Sequence, residues 1–232
     1  MAPTQESRRR PSNVALKQTM AVTGIIFVGF VVVHLFGNLK VFAGADAFNH
    51  YAAWLREVGY PLLPRESVLW GLRVVLLVSL VAHVWASVVV RLRARRARGR
   101  HRRRLKGYRP RVAGGMLLGG VAILAFILFH ISDLTLGGPG AAETFRHPDV
   151  QVHAYENLVA SFSRPWAAAC YAIAMVVIAI HVEHGWRTLL QDLGATGQRF
   201  RRAWVLVGGA VALAILVGNA SIPLLVLTGV IA

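Results

Sequence analysis

The stretch 73–90, RVVLLVSLVAHVWASVVV, is long enough to be buried in a membrane and carries one ionisable group well inside it, His83. A chain that places an imidazole in the lipid core turns it toward the bundle interior, as a ligand, a proton carrier or a paired polar group. Three other apolar segments also hold internal histidines: His34 in GIIFVGFVVVHLFGN, His130 in VAILAFILFHISD, and His181 with His184 in AIAMVVIAIHVEHGW. These positions organise the chain.

Hydrophobic residues make up 56% of the 232 positions, which excludes a disordered chain and a soluble domain and points to an all-α integral membrane protein. Five spans are expected, near 18–40, 67–91, 111–132, 164–188 and 203–230, each close to the roughly 20 residues that cross a hydrocarbon core. Together they form a single membrane domain over 1–232, a five-helix bundle. The first span starts far from the terminus and lacks a small-residue cleavage site, so it reads as a retained helix rather than a removed signal.

The net charge of +16 would suit nucleic acid if the run RLRARRARGRHRRRLKGYRPR at 91–111 stood alone. It joins two spans instead, and clustered Lys and Arg in short loops mark the cytoplasmic side. The tail to Lys17, the run 91–111 and the segment 187–202 hold 20 of the 26 Lys and Arg, while the opposite loops hold seven of the ten acids. This predicts a multi-pass membrane protein, N-terminus inside and C-terminus outside, touching anionic lipid and not nucleic acid. The lone Cys170 can form no internal disulfide and cannot alone hold an iron–sulfur cluster.

Helical rise fixes the depth of each histidine. His34 lies about 24 Å from Gln18 and His130 about 28 Å from Arg111, both in the outer half; His83, about 24 Å from Ser67, and His181, about 25 Å from Arg164, fall in the inner half. Each depth therefore holds one pair drawn from two helices, which is what bis-histidine ligation of a b-type haem in a bundle requires. Any one of these residues also reads as a satisfied polar core histidine, and the pairing by depth is what favours two haem b. No carboxylate or cysteine completes a zinc shell at either depth. His184 stands one turn nearer the cytoplasm than His181 and is a candidate for a haem propionate or the second shell. His50, His101, His147 and His153 read as loop histidines.

Propionates need cationic partners, and Lys40 and Arg73 are candidates on the outer side; Arg73 equally reads as a snorkelling side chain. The segment 37–64 is too polar to span and has the spacing of an interfacial helix, ended by Gly59, Pro61 and Pro64. Its Glu57 is a candidate proton carrier beside a quinone, with a solvated carboxylate as the plainer reading. The loop 132–164, with glycines around Pro139, is expected to cap the outer end.

The stretches HLFGNLKVF, NHYAAWLREVGYPLLP, FHISDLT and HVEHGWRTLLQDLG resemble the cytochrome b subunit of di-haem succinate:menaquinone oxidoreductases of the actinobacterial type, a family related to bacterial fumarate reductase. The resemblance runs from about Lys17 to the last helix. It implies a membrane anchor for a flavoprotein subunit carrying FAD and an iron–sulfur subunit, both on the cytoplasmic side, with electrons passing through an inner and an outer haem to menaquinone. It implies His34 and His130 as axial ligands of the outer haem and His83 and His181 of the inner one, and Glu57 as the nearest match to a quinone-site carboxylate. The fumarate reductase branch carries a glutamate two residues before the fourth-helix ligand; here that position is Ala179, so transmembrane proton movement by that route is not implied.

The sequence thus predicts the quinone-reducing membrane part of a succinate dehydrogenase, with dicarboxylate chemistry left to partner chains and room for a higher oligomer. Two alternatives stand beside it: a di-haem anchor of a formate dehydrogenase or hydrogenase, and a haem-free membrane anchor.

Overall fold

The computed structural model describes residues 11–98, 108–148, 151–194 and 197–232. Residues 1–10 of the basic tail and 99–107 of the basic run, His101 among them, lie outside the described residues. In chain order the elements are α1 (Asn13–Asn38), a 3-10 turn (Leu39–Ala43), α2 (Ala45–Glu57), α3 (Ser67–Arg98), α4 (Tyr108–Ile131), one π-helical turn (Ser132–Leu136), α5 (Ala154–Phe162), α6 (Pro165–Asp192) and α7 (Gln198–Leu227). Among the described residues there is no strand. The five long helices α1, α3, α4, α6 and α7 are apolar enough to cross a membrane, as expected. A helix is the open-chain solution there because it pairs its own backbone groups where no water can.

Local signals set the ends. Ser12 caps α1 by accepting a bond from the Ala15 N–H at 3.0 Å. Pro165 opens α6 where its missing N–H costs nothing. At the basic end the helices outrun the expected spans: α3 continues to Arg98 and α6 to Asp192, and α7 begins already at Gln198. Arg, Gln and Leu keep good helix propensity there, and long arginine side chains suit a helix end that emerges from the hydrocarbon into water.

Contacts sort the helix ends into two levels. Lys17 near the start of α1 pairs with Asp192 at the end of α6 at 2.8 Å, and Arg93 near the end of α3 donates to Asn13 at 2.8 Å. The Trp186 and Trp204 rings of α6 and α7 stack 4.4 Å apart, and each indole N–H donates to the other residue's carbonyl, at 2.9 and 3.0 Å. A Cβ on Gly208 would fall 2.1 Å from the Trp186 ring, so only glycine admits this lock. At the opposite end, where most acids lie, Asn38 donates to Asn219 and Tyr155 to the Ala232 carbonyl. These levels are the basic end and the acidic end below.

The tightest packing is at the acidic end. Val41, Leu158, Phe162, Tyr171, Ile222, Val226 and Ile231 form a buried cluster with Phe48, Phe126 and Phe129 against it. Here the structure adds to the expected cap: the loop 132–164 contains α5, whose Leu158 and Phe162 supply part of that core. In the transmembrane region α1 packs on α3, and α6 on both α4 and α7, while α3 and α4 scarcely meet although they are consecutive. Outward faces are apolar, with Leu77, Val78, Val81 and Trp85 of α3 exposed as lipid-facing side chains are.

Candidate functional site

The histidines pair across the bundle as their depths predict. His34 of α1 and His130 of α4 have ring centroids 5.9 Å apart with planes at 83°. His83 of α3 and His181 of α6 lie 6.5 Å apart at 55°. The two helices of each pair are not closely packed on one another, and their imidazoles reach into the space between. Glycines enlarge that space at the basic-end pair. A Cβ on Gly24 would come 3.9 Å from His83, and one on Gly120 would come 3.9 Å from His181.

Each pair has a different backing. His83 Nδ1 is 2.8 Å from Thr23 Oγ1, and that hydroxyl already donates to the Thr19 carbonyl at 2.7 Å. Thr23 can therefore only accept from His83, which puts the ring proton on Nδ1 and leaves the Nε2 lone pair free. His130 Nδ1 is 3.3 Å from Tyr171 Oη, whose proton is donated to Asp133 at 2.9 Å. The same reasoning leaves the Nε2 of His130 free. His181 Nδ1 is buried with no hydrogen-bond partner among the described residues. Aromatic rings frame the acidic-end pair: Phe30 stacks on His34 at 5.3 Å and Phe126 on His130 at 5.8 Å.

Asp133, Thr23 and Tyr171 escape a reading from sequence. The acid of FHISDLT counts there only toward the charge of the outer loop, yet Asp133 is 0% exposed and paired with Arg164 at 2.7 Å. A faint signal exists, since the acid follows a span histidine by three residues and so shares its helical face.

The remaining candidates do not belong to either pair. His184 lines a cavity of about 860 Å³ at the basic end, between α6 and α7, with Arg187, Thr188, Arg201 and Arg202. Lys40 lies over the Tyr51 ring at 5.3 Å, and Arg73 over the Trp70 ring at 4.6 Å. Glu57 is exposed at the end of α2, 3.8 Å from Arg65. His50 stands on α2 rather than in a loop, His147 in the loop after the π-helical turn, and His153 immediately before α5. Among the described residues no three His, Cys, Asp or Glu side chains converge to hold a metal ion.

No curated protein matches the chain, and no solved structure does. The family described as the succinate dehydrogenase/fumarate reductase transmembrane subunit matches residues 92–217, just over half of the chain, a stretch that includes His130, Asp133, Tyr171 and His181 but begins after His34 and His83. With its five apolar helices and this match, the chain belongs to the family of succinate dehydrogenase/fumarate reductase transmembrane subunits.

Proposed function

We propose that this chain is a di-haem cytochrome b anchor, passing electrons from a partner iron–sulfur subunit through two b haems to menaquinone. His34 and His130 would hold one haem, and His83 and His181 the other. The single observation that carries the reading is the spacing of the pairs. Two imidazoles on one iron, with metal–nitrogen bonds of about 2 Å and ring centres about 1.2 Å behind the bonded nitrogens, have centroids about 6.4 Å apart. The centroid separations of 5.9 and 6.5 Å bracket that value.

Two further features fit the same group. Thr23 and Tyr171 hold His83 and His130 in the tautomer with Nε2 free, as second-shell partners of metal-bound histidines do. Gly24 and Gly120 keep side chains out of the space beside the basic-end imidazoles, where a flat macrocycle needs it.

Bound haem supplies one-electron carriage between ferric and ferrous iron. The chain's own work is to orient four imidazoles, exclude water with lipid-facing apolar surface, and stack the two pairs along the membrane normal. The excess of positive charge at the basic end supports a cytoplasmic orientation for it, where a flavoprotein subunit with FAD and an iron–sulfur subunit would dock. The acidic end, with Glu57 exposed on α2, is then where menaquinone would receive electrons and protons.

A dithionite-reduced minus oxidised spectrum of the purified complex, with haem quantified per copy of this chain, tests the reading. Two b haems per chain, co-purifying with FAD and iron–sulfur subunits, are expected. A complex with intact partner subunits and no haem contradicts it and leaves a haem-free anchor; haem with other soluble subunits points to a different dehydrogenase.

A further inference from the structure

Asp133 is a fully buried carboxylate in a membrane-spanning bundle, and a charge in that position persists only where its partners compensate for lost water. Arg164 donates to Oδ1 at 2.7 Å, and Oδ2 accepts from Ser161 at 2.5 Å and from Tyr171 at 2.9 Å. Arg164 is itself fixed by the Gly140 carbonyl at 2.7 Å. The π-helical turn Ser132–Leu136 carries the carboxylate inward directly after the His130 helix and closes on Gly137 at φ 62, where a Cβ would strike Phe145.

We infer that Asp133 is a positioning residue for His130, acting through Tyr171. The proposal rests on the haem reading above. The carboxylate can only accept, so it fixes the direction of the Tyr171 O–H, and the phenol oxygen can then only accept from His130 Nδ1. This chain of two bonds, ending on an anion, holds one imidazole tautomer and enriches the electron density of the ring. The Tyr171 ring cannot swing away, packed 4.7 Å from Phe162, 5.1 Å from Phe126 and 5.6 Å from Phe129. His83 has the contrasting arrangement: its chain through Thr23 ends on the neutral Thr19 carbonyl.

An electron-rich axial imidazole favours ferric over ferrous iron, so cutting the chain raises the midpoint potential of the haem on His130 and leaves the other unmoved. The test is a spectroscopic redox titration of the complete complex carrying Tyr171→Phe, Asp133→Asn or both, with haem content and the low-spin ferric EPR signals recorded. Tyr171→Phe keeps the ring packing and the Asp133–Arg164–Ser161 cluster, so it decides the matter even where Asp133→Asn fails to assemble.

The expected result is two haems per chain, with one midpoint shifted upward in Tyr171→Phe by about fivefold in the ferric-to-ferrous ratio, or about 40 mV at 59 mV per tenfold. The EPR signal of that haem should change with it, and the double variant should shift no further than Tyr171→Phe alone. A shift in Asp133→Asn without one in Tyr171→Phe overturns the proposal, because the charge then acts through space. Haems present with both potentials unmoved overturn it also, leaving the haem reading intact; absence of haem from the wild-type complex overturns both.

Discussion

The two histidine pairs are built differently. At the acidic end, His34 and His130 stand against a packed aromatic core with a buried carboxylate behind one ring. At the basic end, His83 and His181 stand beside Gly24 and Gly120, with one neutral hydroxyl behind His83 and no partner for the buried nitrogen of His181. The acidic end orients its imidazoles by packing within the chain. The basic end holds open volume and leaves more of the orientation to whatever binds there.

That difference can be broken from either side. The largest effect is expected from Gly120→Leu, which puts a branched side chain where even a Cβ is 3.9 Å from His181. Haem per chain should fall from two to about one, with the acidic-end haem retained; Gly120→Ala, an ordinary van der Waals contact, should keep both. Loss of both haems in Gly120→Leu would mean that the two sites do not form independently.

Asp133→Ala comes next. It leaves Arg164, Ser161 and Tyr171 facing a cavity without their acceptor, and removing one partner of a buried pair costs about 3 kcal/mol. Thermal unfolding in detergent should show that loss, along with loosening of α5 in hydrogen exchange. Thr23→Val has the smallest expected effect, near 1 kcal/mol for one neutral hydrogen bond of matched shape. Retention of the basic-end haem should weaken about tenfold, as loss of one outer-shell partner does, with no change at the acidic end. Equal effects of Thr23→Val and Asp133→Ala on stability would erase the distinction between the two ends.

Much of the fold could be read from the chain because membrane spans are local features. Length, apolar run and charged flanks gave five helices, and a rise of 1.5 Å per residue was enough to match His34 with His130 and His83 with His181 in depth. The supporting groups could not be read in the same way. Asp133 is buried only because Arg164 and Tyr171 arrive from α6 and the residue before it, 31 and 38 positions later. Thr23 looks like any span threonine until α3 brings His83 beside it, 60 positions on. The nine residues of α5 are too short and too mixed in polarity to stand out from a loop, and their helix is held by the core they enter. Lys40 and Arg73 stand out in the chain only by their charge, and the structure places each over an aromatic ring.

The pairing itself is tested most directly by counting haem in four single variants, His34→Ala, His130→Ala, His83→Ala and His181→Ala, in the assembled complex. The account predicts one haem per chain in each, with His34→Ala and His130→Ala leaving one and the same spectrum and His83→Ala and His181→Ala leaving the other. Two haems retained in any variant, or remaining spectra that group His34 with His83, would contradict it.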